Sequence, residues 1–84
     1  MPTIAEFRGI TVRMYYRDHP PQHFHAFYGG YEALVSIADG QVIAGDIPPA
    51  ARSLLAIWRT RNIDGLEANW SRARNLEPLE KIES

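Results

Sequence analysis

The sequence predicts an α+β domain: an antiparallel meander sheet of four to five strands, covered on one face by a C-terminal two-helix hairpin. Three observations predict it. Apolar and polar residues alternate with period two through the first half, most clearly from Ile10 to Arg17. Gly29-Gly30 and Asp39-Gly40 punctuate that half with hairpin-turn dipeptides. From Pro48 onward the period changes, and Ala51, Leu54, Leu55 and Trp58 recur at i, i+3, i+4 and i+7, the apolar stripe of a helix.

Thr3 to Phe7 reads as a first strand, ended by Arg8-Gly9. In the next strand Ile10, Val12, Met14 and Tyr16 share the core side, and Thr11, Arg13, Tyr15 and Arg17 share the other. Pro20 and Pro21 have a fixed φ and no amide donor, so they form a rigid, non-sheet approach to a strand over His23 to Tyr28. Tyr31 to Ala38 follows, with Tyr31, Ala33, Val35 and Ile37 inward and Glu32 and Ser36 outward; Gln41 to Ala44 is the last strand, released by Gly45. Short connections favour pairing in chain order. Pro48 and Pro49 belong in a first helical turn, where a missing N–H is harmless. That helix ends near Arg61, and Asn62 is the expected N-cap of a second one reaching about Arg74, with Leu66, Trp70 and Ala73 on one side. Leu54, Leu55, Trp58, Leu66 and Trp70 are expected to cover Ile10, Val12, Met14, Val35 and Ile37, which makes the tryptophans core residues rather than base-stacking platforms. The expected layout is a single domain over 1–84: strands about 3–44, helices about 48–75 and an acidic tail 76–84 whose Leu79 and Ile82 dock on the sheet or on a partner.

Eighty-four residues with a 45% hydrophobic fraction suffice for one modest core. The absence of cysteine excludes disulfides and thiolate metal ligands and fits a reducing compartment. No apolar run approaches membrane-spanning length and the first residues lack a secretory pattern, so the expectation is a cytoplasmic protein with no membrane contact. A net charge of −1 gives no global pull toward polyanions. Eight of the nine cationic residues are nevertheless arginines, which suit bidentate contact with phosphate.

All three histidines fall between His19 and His25, directly after Asp18. His23 and His25 lie two apart on a strand and share a face. Such a set admits three readings: a metal site through His19, His23 and His25, a general acid/base group, or an ordinary polar strand face. Phe24, Ala26 and Tyr28 make the better core set, which turns both histidines outward beside Arg13, Tyr15 and Arg17, although the hairpin register that decides the face is not fixed by the sequence. An open face of this kind suits a phosphodiester. His19, His23, His25 and Asp18 are then the catalytic candidates: His23 and His25 move protons, His19 assists and Asp18 orients an imidazole. Arg13, Arg17 and Tyr15 hold the phosphate or nucleic acid. No cofactor is expected, a divalent metal on the histidines being the alternative. There is no Gly-rich phosphate loop, nucleophile elbow or zinc-finger spacing. Exposed sheet edges leave room for a homodimer.

Several pieces of the chain also carry a family resemblance: Met1-Pro2-Thr3-Ile4, Phe7-Arg8-Gly9-Ile10, Met14-Tyr15, Asp18-His19 with the following prolines and His23-Phe24-His25-Ala26, Gly45 with Pro48, Trp58, and Leu66 with Asn69-Trp70. Through them the chain resembles, almost from end to end, a bacterial family known as domain of unknown function 4160. Gln22 stands where that family usually has a proline, which shifts the rigid element and leaves the histidine spacing intact. The resemblance implies a genetic setting. Members are often found beside a second small family, domain of unknown function 2442, in an arrangement similar to a toxin–antitoxin module, and some carry a label of transcriptional regulator. The expectation is a toxin-like component acting on RNA or another phosphate-bearing ligand, with a small partner protein encoded next to it. The alternatives are a non-catalytic protein- or DNA-binding module and a small histidine-based metal protein. The resemblance assigns no catalytic residue.

Overall fold

The computed structural model describes residues 2–82; Met1 and the last two tail residues, Glu83 and Ser84, lie outside the described residues. Five strands pair antiparallel in chain order: β1 (Thr3–Phe7), β2 (Ile10–Arg13), β3 (His23–Tyr28), β4 (Tyr31–Ser36) and β5 (Val42–Gly45). Two helices follow, α1 (Pro49–Arg61) and α2 (Ile63–Arg74), and they pack on the sheet.

Register decides which side chains the helices cover. Val12 pairs with Ala26 and Ala26 with Ala33, while Phe24 pairs with Val35, so these residues share the covered face with Ile10. All are buried. Trp58 of α1 stacks on Phe7, with centroids 5.3 Å apart, and meets the edge of Phe24 at 5.8 Å. Leu66 and Trp70 of α2 complete the core. Each large side chain buried there contributes roughly 1.5–3 kcal/mol, which is why the tryptophans are committed to packing.

The strands are shorter than the alternation suggests. β2 stops at Arg13, and the backbone reaches a left-handed turn at Arg17 (φ 57°), so Tyr16 leaves the core side and is exposed. Tyr31 is exposed too, because it sits at the hairpin tip opposite Tyr28. β4 ends at Ser36: its N–H donates to the Gln41 carbonyl (2.9 Å) and its carbonyl accepts from Gly40 N–H (2.9 Å), closing a wider turn than Asp39-Gly40 alone. Ser36 pairs with His23 and so has the expected outward parity, but it is buried there.

Arg59 fastens α1 to that turn, donating from Nε to the Ile37 carbonyl (2.9 Å) and from Nη2 to the Ala38 carbonyl (2.7 Å). Asn62 does not cap α2 with its side chain. Its Nδ2 donates back to the Trp58 carbonyl (2.8 Å), so the amide serves the unpaired carbonyls at the end of α1 instead. The tail docks on the protein's own core. Asn69, fully buried on α2, donates to the Glu80 carbonyl (2.8 Å) and accepts from Glu80 N–H (2.9 Å), Leu79 and Ile82 pack against the core, and Ile82 N–H donates to the Ile4 carbonyl of β1 (2.7 Å).

Candidate functional site

The β2–β3 register places Arg13 opposite His25 and Thr11 opposite Phe27. His25 and Phe27 therefore stand on the face away from the α1–α2 layer, and His23 has the same parity at the start of β3. Asp18 reaches this face because the chain reverses at Arg17, a conformation that costs a non-glycine residue roughly 1–2 kcal/mol. The reversal brings Asp18 back over β3. Its Oδ2 lies 2.9 Å from His23 Nε2 and 3.0 Å from His25 Nε2, and its Oδ1 accepts from His19 N–H at 2.9 Å.

The other ring nitrogens are also engaged. His23 Nδ1 donates to the Pro21 carbonyl (2.8 Å), and His25 Nδ1 donates to Glu32 Oε2 (3.3 Å). The two rings are 5.2 Å apart between centroids. Tyr15 meets His25 edge-on at 4.4 Å, and Trp70 backs His23 at 5.3 Å. Side-chain exposure rises from 6% at His23 through 13% at His25 and 22% at Asp18 to 49% at Glu32, so the cluster has one closed end and opens to water along the Asp18–Glu32 side.

This geometry has a definite protonic demand. Carbonyl and carboxylate oxygens only accept, so all four ring nitrogens must present something positive to them. Two neutral imidazoles carry two N–H groups. With Nδ1–H used on Pro21 and Glu32, both Nε2 atoms face Asp18 with lone pairs unless each gains a proton or shares a cation. Burial alone would raise the Asp18 carboxyl. The hydrogen bond from His25, the His19 amide and the charge and hydrogen bond of His23 outweigh it, and hold Asp18 below its ordinary value of 3.8.

The sign of the pH effect follows. A carboxyl with a depressed folded-state value stabilises the fold above its unfolded value, and loses that contribution as pH falls through the lower folded one. The stability gap between wild type and Asp18→Asn, measured by urea unfolding with chelator present, should shrink as pH falls below 3.8. A gap that persists unchanged at the acid extreme would mean that the carboxylate is not engaged as described.

Of the residues expected from sequence, Asp18, His23 and His25 come together, and Tyr15 joins them through His25. Arg13 lies beside the cluster, with Nε donating to Thr3 Oγ1 (3.3 Å) and the guanidinium 5.0 Å over the Phe27 ring. Arg17 and His19 are exposed on either side of Asp18, and among the described residues no hydrogen bond or ion pair joins their side chains to the cluster. Sequence reading missed Glu32, the Pro21 carbonyl and Trp70. Glu32 had a usable signal: the Gly29-Gly30 turn pairs Tyr28 with Tyr31 and His25 with Leu34, which makes Glu32 a diagonal, same-face neighbour of His25.

The family model described as Domain of unknown function (DUF4160) matches residues 9–71, three quarters of the chain. The chain belongs to this family. No curated protein and no solved structure matches it. The matched DUF4160 segment holds Asp18, His23, His25 and Glu32 together with Trp70, and leaves out both Ile4 and the tail that closes over it.

Proposed function

We propose that this protein is the toxin-like component of a bacterial toxin–antitoxin-like gene pair, and that it acts on RNA at the outer face of β2 and β3. The observation that carries the chemistry is the convergence of two imidazole Nε2 atoms on one Asp18 oxygen. That arrangement calls for positive charge at an accessible point, where it would stabilise the extra negative charge of a reacting phosphodiester. Arg17 is exposed next to Asp18, and Arg13 bonds the protein only through Nε among the described residues, which leaves guanidinium donors for phosphate oxygens. The family resemblance supports the two-gene setting.

Purified protein incubated with a short labelled single-stranded RNA should cleave it, and His25→Ala should slow cleavage by about a hundredfold or more. Arg17→Gly separates binding from folding. Glycine suits the left-handed φ of 57°, so thermal stability should hold or rise while RNA affinity drops about tenfold at low salt. Absence of cleavage and of RNA binding in the wild type, with a stable complex formed instead with the neighbouring gene product or with operator DNA, would replace this reading with a non-catalytic binding module.

A further inference from the structure

We infer that Asp18, His23 and His25 form a binding site for one divalent transition-metal ion, with zinc the best-suited probe. The site stands independently of the RNA reading. Three features carry it. First, the ligand atoms are already assembled: Asp18, His23 and His25 each offer one ligand atom within 4.8 Å of the others, and both Nε2 atoms meet Asp18 Oδ2. Second, both imidazoles converge on one point. His23 Nε2 and His25 Nε2 meet the same Asp18 oxygen at 2.9 and 3.0 Å, with the ring centroids 5.2 Å apart, so one ion can be reached by both nitrogens and the carboxylate. Third, each imidazole is oriented from behind. His23 Nδ1–H is held by the Pro21 carbonyl and His25 Nδ1–H by Glu32, which fixes the tautomer that leaves Nε2 free to ligate. Metal-binding histidines carry such outer partners almost without exception.

The Asp18 contacts need only a small adjustment. Zinc–ligand bonds of about 2.0–2.1 Å in a tetrahedral arrangement separate ligand atoms by roughly 3.3 Å. The contacts of 2.9 and 3.0 Å must therefore open by a few tenths of an ångström. Asp18 can supply this, because it sits on a partly exposed loop rather than on a strand. Two nitrogens and one oxygen, with no cysteine in the chain, suit a borderline ion such as zinc rather than magnesium or calcium. Three protein ligands leave one position for water or a substrate oxygen on the open Asp18–Glu32 side. Exposed His19 is not one of the three.

The test uses the full chain, stripped with chelator, dialysed and titrated with zinc chloride by calorimetry, with cobalt(II) absorption as an independent reading of coordination. The expected result is one ion per chain at micromolar affinity or tighter, and a visible cobalt band of distorted tetrahedral type. His25→Ala and Asp18→Asn should weaken zinc at least a hundredfold. Glu32→Ala, which removes only the outer partner of His25, should weaken it about tenfold to a hundredfold. His23→Ala is the variant most exposed to misfolding, since that ring is buried against Trp70; His25 and Glu32 lie on the open side and keep the test decisive. Millimolar binding, or binding that His25→Ala and Glu32→Ala leave unchanged, overturns the site. Tight zinc binding without RNA cleavage removes the RNA reading and leaves the metal site standing.

Discussion

Gly45→Ala should destabilise the protein by about 3 kcal/mol or more, a large share of the stability expected for a domain of this size. Two effects add. Gly45 holds φ at +78°, where a Cβ costs roughly 1–2 kcal/mol. That Cβ would also overlap the Glu32 carbonyl oxygen and crowd the Ala33 backbone, and these atoms cannot rotate away like the end of a side chain. Gly45 pairs with Ala33, and Asp46 N–H donates to the same Glu32 carbonyl at 3.0 Å, so relief requires parting β5 from β4. Gly29→Ala is the control. Gly29 also has positive φ (58°), but its Cβ would meet nothing within 4 Å, and that variant should lose only the conformational cost. Urea unfolding of both separates strain from clash, and equal losses would rule out the backbone clash. Because the displaced residue is Glu32, the Gly45 variant should also loosen the carboxylate behind His25.

Asn69→Leu has the next largest expected effect, a loss of about 2–4 kcal/mol with release of the tail. The Asn69 amide is fully buried and makes three hydrogen bonds: two with the Glu80 backbone and one accepted from Arg72 Nη1 at 2.8 Å. Each contributes about 1 kcal/mol net, more where one partner is charged. Leucine keeps the bulk and removes all three. Leu79 and Ile82 then lose their anchor, and Ile82 N–H leaves the Ile4 carbonyl. Trypsin should cut after Lys81 or Arg74 faster in the variant than in wild type under native conditions. Unchanged cutting together with a loss under 1 kcal/mol would show that the tail is held by its apolar residues alone.

The parts of the fold that follow from local chemistry were legible in the sequence. Gly29-Gly30 marks the β3–β4 hairpin, Val12, Phe24, Ala26 and Val35 alternate inward as expected, and the Ala51–Leu55–Trp58 stripe lies against the sheet. His25 faces away from Phe24 and Ala26, as alternation implies once the register is known, whereas His23, of the same parity, is buried against Trp70 of α2 rather than open to solvent. What escaped depends on single backbone dihedrals and long-range partners. Arg17 adopts a conformation its side chain disfavours, so nothing in its identity announces the reversal that brings Asp18 onto the histidines and strands Tyr16 in solvent. Asn62 lies between two helices, and only the packed corner decides that its amide turns back to α1. Asn69 looks like a routine helical polar residue until the tail folds over it.

The meander also has a kinetic consequence. Every strand pairs with its neighbour in the chain, so contact order within the sheet is low and no long loop must close before pairing begins. Asp18, Pro21, His23, His25 and Glu32 all fall inside the segment that folds as β2, β3 and β4. During synthesis the strand pairings that position this group can form as β4 emerges, and α2 then closes its buried end by bringing Trp70 against His23.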